Sequence, residues 1–361
     1  MKVLMISRAN LYTAPGGDTI QIVETASHLR KIGVEVDVKL TNEVIDYDQY
    51  TIVHFFNVIR PADILSHTQY IKGKYVISPI FVDYEEYEKE VRTGLLRYVN
   101  KLFSSNFIEY LKVVARVILN GEKVKSKEYL LIGHKAAIKK IIKSSSLLLP
   151  NSNNEYLRLL RKFGIEKDYI VVPNAISTEK FQAIPSPEEK EGVLCVARFE
   201  PLKNQLNLIR AINKTTLKLT LIGKASPNSQ AFYDACKMEA AGNANIQFIE
   251  FISQDELLKF YNKAKVHVLA SWFETTGLSS LEAAACGCNL VITDKGDTRE
   301  YFGDDAFYCN PDDIDNILET VKKAMSAPNV SKLKDLIFKK YIWEETARQT
   351  LLGYRKIGNE K

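Results

Sequence analysis

The sequence predicts an α/β protein built on two doubly wound parallel sheets. Short apolar runs that stop at turn residues alternate with segments of helical spacing in both halves of the chain. A polar, Pro-rich stretch, Pro185-Ser186-Pro187-Glu188-Glu189-Lys190, interrupts this series near the middle. The length of 361 residues suits about two domains.

Val3-Leu4-Met5-Ile6 reads as the first buried strand, and Ala14-Pro15-Gly16-Gly17 as the turn after it. Ile20, Val23, Ala26, Leu29 and Ile32 recur at helical spacing, and Gly33 ends that segment. Further strands are expected at 34–38, 51–56 and 75–78, and residues 92–144 read as helical. Leu147-Leu148-Leu149 and Ile170-Val171-Val172 read as short buried strands, each closed by Pro. After the Pro-rich stretch come a strand at 192–196, a helix at 205–212, and strands at 217–222, 266–269 and 289–292. The expected division is a first domain at 1–180, a linker at 181–190 and a second domain at 191–344. Ligands of such sheets bind at the carboxyl ends of strands, and the cleft between two such domains is the expected site.

Composition excludes several classes. No run of about eighteen apolar residues exists, so no spanning helix is expected. The N-terminal apolar stretch is short and interrupted by Arg8, unlike a signal peptide. Five cysteines without a C-x-x-C pair fit a reducing cytoplasm rather than a disulfide scaffold or zinc ribbon. Residues 92–143 hold twelve Lys or Arg against three acids, a net +9 in a chain of net +5. Its Lys and Ile residues from His134 to Lys143 suit either a solvated helix with Ile inward or docking on an anionic membrane surface. No basic–aromatic platform points to nucleic acid, and no G-x-G-x-x-G follows a strand to hold a nicotinamide cofactor.

The stretch from Ser271 to Gly287 carries the chemistry. It follows a strand, and Thr275, Thr276 and Ser279 suit a helix start near Thr276. A helix start offers unpaired N–H groups and positive potential to a phosphate, and Gly277 allows close approach. Glu274 and Glu282 flank this anion site. Two carboxylates there make sense if each binds hydroxyls while the amides bind phosphate. A nucleotide sugar presents that order of groups.

Glu274-x₇-Glu282, with Gly277 in its fourth position and Ala283-x₃-Gly287 behind it, resembles the retaining GT-B glycosyltransferases of family 4. The resemblance extends to the Gly16-Gly17 loop, Val172-Pro173-Asn174, Ala197-Arg198-Phe199-Glu200-Pro201-Leu202-Lys203-Asn204 and Ile342-Trp343-Glu344. It implies two facing Rossmann-like domains, with a helix at about 345–361 crossing back to the first. It implies that Glu274 binds donor-sugar hydroxyls, that Thr276, Gly277 and Leu278 contact sugar and diphosphate through the backbone, and that Glu282 binds ribose. Arg198 and Lys203 would neutralise the diphosphate and support the leaving group, a role that fits paired cations in a water-poor cleft. Gly16 and Gly17 would bring N–H groups from the first domain. No metal or other cofactor is implied. Asp46-Tyr47-Asp48 reads as a solvated turn rather than a metal-holding D-x-D.

The first domain departs from the family. Ile77-Ser78-Pro79-Ile80-Phe81-Val82-Asp83 lacks the His that many relatives carry there. Asp83, His54 and Asn174 remain as acceptor-side candidates, although His54 reads more naturally as a core histidine and Asn174 equally as a turn residue. The expected activity is sugar transfer from a UDP- or GDP-sugar to a glycan or lipid-linked glycan, in the cytoplasm or on the inner face of the membrane. The alternatives are a non-catalytic nucleotide-sugar binder and a phosphorylase or hydrolase on the same fold.

Overall fold

The computed structural model describes residues 1–83, 126–181, 189–329 and 331–358. The chain divides into two compact units, Met1–Pro173 with Trp343–Lys361, and Asn174–Ile342. The boundaries thus fall at Pro173 and Ile342, whereas the sequence points to 181–190. Most of that expected linker, 182–188, lies outside the described residues, as does 84–125, which holds most of the basic segment.

The first unit has a five-stranded parallel sheet, β1 (Lys2–Ser7), β2 (Glu35–Leu40), β3 (Ile52–Phe56), β4 (Lys74–Ser78) and β5 (Leu147–Leu148). Its order is β2-β1-β3-β4-β5. Alternate residues feed opposite faces: Leu4, Ile6, Val53 and Phe55 enter one core, while Val3, Met5, Ile52 and Phe56 enter the other. Burial on both faces is why these strands read as unbroken apolar runs. Helix α1 (Gly17–Lys31) and α2 (Pro61–Thr68) follow β1 and β3. α3 (Lys127–Ile132) and α4 (His134–Ser144) are separated at Gly133, and α5 (Asn153–Phe163) follows β5. Ile170–Val172 forms no strand. Its N–H groups at 170 and 172 reach the carbonyls of Leu148 and Pro150, and Tyr169 makes an isolated bridge. Pro150 has no N–H to continue a ladder.

The second unit has a six-stranded parallel sheet in the order β11-β10-β9-β6-β7-β8. The strands are β6 (Glu191–Val196), β7 (Leu219–Ile222), β8 (Ile246–Ile249), β9 (Ala264–Leu269), β10 (Asn289–Thr293) and β11 (Phe307–Cys309). The intervening helices are α6 (Gln205–Ile212), α7 (Gln230–Glu239), α8 (Gln254–Lys263), α9 (Leu278–Ala285), α10 (Thr298–Phe302) and α11 (Ile314–Ser326). α12 (Ser331–Lys340) completes this unit. Read from β8, the order is that of a dinucleotide-binding fold, and its direction reverses between β6 and β9.

The last helix, α13 (Trp343–Gly358), belongs to the first unit. Ala347, Tyr354 and Ile357 enter its core with Ile22 and Ala26 of α1. Lys74 Nζ donates to the Ile357 carbonyl at 2.6 Å, satisfying an orphan carbonyl at the helix end.

Candidate active site

β6 and β9 lie side by side, and the chain leaves them toward opposite faces of the sheet. The loops that follow therefore meet over the crevice at the strands' carboxyl ends. The loop after β6 carries Arg198 and a 3-10 turn, Pro201–Lys203; the loop after β9 runs to Gly277. Trp272 N–H donates to the Leu202 carbonyl at 2.9 Å. Asn204, with φ +57°, donates from its side chain to the carbonyls of Ala270 at 3.0 Å and Pro311 at 2.8 Å. This stitching brings Lys203 to Glu274 across seventy-one positions of sequence.

Glu274 is pinned by its backbone and by its side chain. Its N–H donates to Lys295 O at 3.1 Å, and its carbonyl accepts from Asp297 N at 2.9 Å. Gly296 makes this possible, because at φ +104° a Cβ there would stand 1.9 Å from the Glu274 carbonyl oxygen. The Glu274 side chain is 5% exposed. Lys203 Nζ at 2.5 Å and Ser271 Oγ at 2.7 Å both donate to its Oε1. Oε2 has no partner among the described residues. A nearly buried carboxylate with one oxygen free is an acceptor waiting for a donor such as a sugar hydroxyl. Arg198 is exposed and carries no ion pair among the described residues.

The helix beside Glu274 starts later than the sequence suggests. Gly277 takes φ +72°, which no helical residue adopts, so α9 begins at Leu278 rather than near Thr276. Its start has no side-chain cap and no acid in the first turn. The N–H groups of Leu278 and Ser279 have no acceptor among the described residues. Such a terminus suits an anion. Thr276 is buried, and its Oγ1 accepts from Asn174 Nδ2 at 3.2 Å. Asn174 N–H donates to the buried Tyr301 hydroxyl at 3.0 Å. Asn174, read from sequence as an acceptor-side candidate, is thus a neighbour of the α9 loop inside the second unit.

Glu282 lies on α9, half-buried, and accepts from the Tyr261 hydroxyl at 2.8 Å. Burial raises its carboxyl to about 7, against the lowering effect of that hydroxyl. Burial pushes all five cysteine thiols up to about 12, so none is poised as a thiolate.

The first-unit candidates are placed as follows. The Gly16 N–H donates to Thr19 Oγ1 at 3.0 Å. Asp18 in the first turn of α1 is clamped by Arg8 at 2.6 and 3.0 Å. That carboxylate fills the positive end of α1, so Gly16 and Gly17 stand beside an acid rather than an open anion site. Arg8, its side chain 9% exposed, also holds the Ala14 carbonyl at 2.9 Å, a role the sequence does not reveal. His54 is a core residue: Nδ1 meets the Tyr354 hydroxyl at 2.8 Å and Nε2 meets Ser78 Oγ at 2.9 Å. Burial lowers it to about 3, so it is neutral and both ring nitrogens are occupied. It is therefore withdrawn from the acceptor-side set. Asp83 is half-buried and pairs with Lys162 at 3.1 Å. Asp46 caps a surface 3-10 turn by accepting from Asp48 N, and Asp48 pairs with the exposed Lys72 at 3.1 Å.

Two units, each built on a parallel α/β sheet, are the architecture of the GT-B fold. Residues 176–341, nearly all of the second unit, match the family of glycosyl transferases group 1. A probable sucrose-phosphate synthase of Thermosipho melanesiensis is 24% identical, over 93% of this chain and 90% of that one. The O-antigen chain mannosyltransferase B of Escherichia coli is 24% identical, over 59% of this chain and 61% of that one. The crystal structure of Anabaena HepE in complex with UDP and glucose superposes with a TM-score of 0.72 at 13% identity, covering 98% of this chain and 99% of that one. No helix among the described residues is long and apolar enough to cross a membrane.

Proposed function

We propose that this chain is a retaining hexosyltransferase that moves a sugar from a UDP- or GDP-sugar to a hydroxyl of a glycan, in the synthesis of a cell-surface polysaccharide such as O-antigen, capsule or exopolysaccharide. The second unit holds the donor and the first holds the acceptor. One observation carries this reading: Lys203 and Ser271 share one oxygen of the buried Glu274, leaving the other free beside an uncapped helix start. Glu274 accepts from donor-sugar hydroxyls, and the amides of Gly277, Leu278 and Ser279 meet the diphosphate. Glu282 accepts from the ribose.

In the transfer, the bond between the anomeric carbon and the phosphate oxygen breaks while the acceptor oxygen bonds to that carbon from the same face. The acceptor proton passes to the leaving phosphate oxygen, so the first unit need not supply a strong base. Lys203 and Arg198 stabilise the charge on the departing nucleoside diphosphate, the task a metal performs in other transferases. The enzyme works in the cytoplasm, peripheral to the membrane. On α4 the residues Lys135, Lys139, Lys140 and Lys143 are exposed while Ile138, Ile141 and Ile142 are buried, and Leu131 beside them is 86% exposed. Each lysine near an anionic surface contributes about 1 kcal/mol.

A second reading rests on the relative named for sucrose-phosphate synthesis, whose match spans 93% of this chain. On that reading the acceptor here would be a small phosphorylated sugar. The test is turnover of UDP- and GDP-sugars against glycan and sugar-phosphate acceptors, with the anomeric configuration of the product read by NMR. Transfer with retention supports the proposal. Tight donor binding without transfer indicates a scaffold, and sugar transfer to inorganic phosphate indicates a phosphorylase.

A further inference from the structure

The two carboxylates flanking the α9 start are held in the same manner. Glu274 has one oxygen tied by the fully buried Ser271 hydroxyl, with Lys203 on the same atom. Glu282 has Oε2 tied by the fully buried Tyr261 hydroxyl, while Oε1 has no partner among the described residues. A carboxylate that accepts on one oxygen from within the core loses rotational freedom and presents the other in a fixed direction. We propose that Tyr261 is a positioning residue for the donor, its hydroxyl turning Glu282 so that Oε1 is open to ribose hydroxyls. This rests on the reading of Glu282 as the ribose ligand.

Tyr261 is built for that task. Its ring sits edge-on to Phe181 at 6.1 Å and to His267 at 6.0 Å, which fixes the direction of the hydroxyl. Its carbonyl, near the end of α8, accepts from Lys190 Nζ and from Cys288 Sγ, both at 3.0 Å. The helix that carries the ring is thereby anchored to the segments on either side. Burial lifts the Glu282 carboxyl to about 7 even with the phenol donating to it, so removing the phenol shifts it further toward the protonated form. The other titratable neighbours do not replace it. Cys286 and Cys288 past α9 are neutral thiols, and His267 on β9 is lowered to about 3 and neutral at working pH. Lys190 and, on α12, Lys334 stand near the thiols and influence them rather than Glu282.

The test is calorimetric titration of UDP and GDP, and of the sugar nucleotide that the wild type accepts, into wild type, Tyr261→Phe, Glu282→Gln and the double variant from pH 6 to pH 9. Tyr261→Phe should weaken nucleotide binding roughly tenfold at pH 7, the scale of one lost hydrogen bond to a charged group. It should raise KM with little change in kcat. The acid limb of the affinity profile should move to higher pH, and affinity should return toward wild type at pH 9. In the Glu282→Gln background the tyrosine substitution should have no further effect. Three results overturn the proposal: wild-type affinity in Tyr261→Phe at every pH, additive effects in the double variant, or a wild-type profile with no acid limb that Glu282→Gln abolishes. The first two, with Glu282→Gln itself weak, leave the ribose reading standing. Wild-type affinity in Glu282→Gln removes that reading as well. If Tyr261→Phe does not fold, the wild-type profile compared with that of Glu282→Gln still decides.

Discussion

Replacing Lys203 by Met strands Glu274. The side chains are 20% and 5% exposed, and Nζ lies 2.5 Å from Oε1, so the pair is shielded and direct. Removing one partner of such a pair leaves an uncompensated buried charge, at a cost of about 3 kcal/mol, the low end for fully buried pairs. For a unit of this size that corresponds to a fall of roughly 6–12 °C in the melting of the second unit. Lys203→Met/Glu274→Gln removes the charge as well as its partner, and the neutral amide can still accept from Ser271. Its stability should return to within about 1 kcal/mol of wild type. Transfer activity should be lost in both. The assay is differential scanning calorimetry at pH 8 beside donor turnover. If the double variant melts as low as the single one, the drop does not come from a stranded carboxylate. If Lys203→Met retains both its melting temperature and turnover, the pair has neither role.

Four other substitutions, one of them a control, test the burial of Glu282, the Gly296 turn and the first-unit core. Glu282 has its carboxyl raised to about 7 from 4.5, so the native state binds the proton more tightly than the unfolded chain, and stability falls as pH rises between those values. Glu282→Gln should therefore raise stability at pH 8 by at most about 3 kcal/mol and have almost no effect at pH 4.5; a difference independent of pH contradicts the burial argument. Gly296→Ala puts a Cβ 1.9 Å from the Glu274 carbonyl oxygen, so it should abolish transfer and lower the melting temperature, whereas Gly242→Ala, with φ +84° but nothing within 4 Å, should keep transfer. Tyr354→Phe leaves His54 Nδ1 buried without its partner and should destabilise the first unit by about 1–3 kcal/mol while nucleotide affinity is unchanged, as read by denaturant unfolding and calorimetry.

The sheet strands were legible because burial on two faces writes them as apolar runs, as at Val3–Ile6 and 266–269. The strands β8 and β11 are not legible in the sequence because they are edge strands, half-exposed, and carry no such run. The order in which Lys203 and Glu274 occur was readable, but not their contact. That contact depends on β6 pairing with β9, which is a property of sheet order and not of any local pattern. Ser271 and Tyr261 are ordinary core residues by type, and only the direction of their hydroxyls marks them. Arg8 was legible only as a break in an apolar stretch, and its clamp on Asp18 emerges from the fold of the loop. The start of α9 differs from the expected one because helix-start residues at 275 and 276 precede a glycine whose left-handed backbone postpones the helix.

In the proposed function, the loop after β9 and the start of α9 grip a nucleoside-diphosphate sugar. A crystal structure of the full chain with an intact donor tests it most directly. Phosphate oxygens should lie within hydrogen-bond distance of the Leu278 and Ser279 amides, sugar hydroxyls on Glu274 Oε2, and ribose hydroxyls on Glu282 Oε1. A donor bound with those atoms untouched contradicts it.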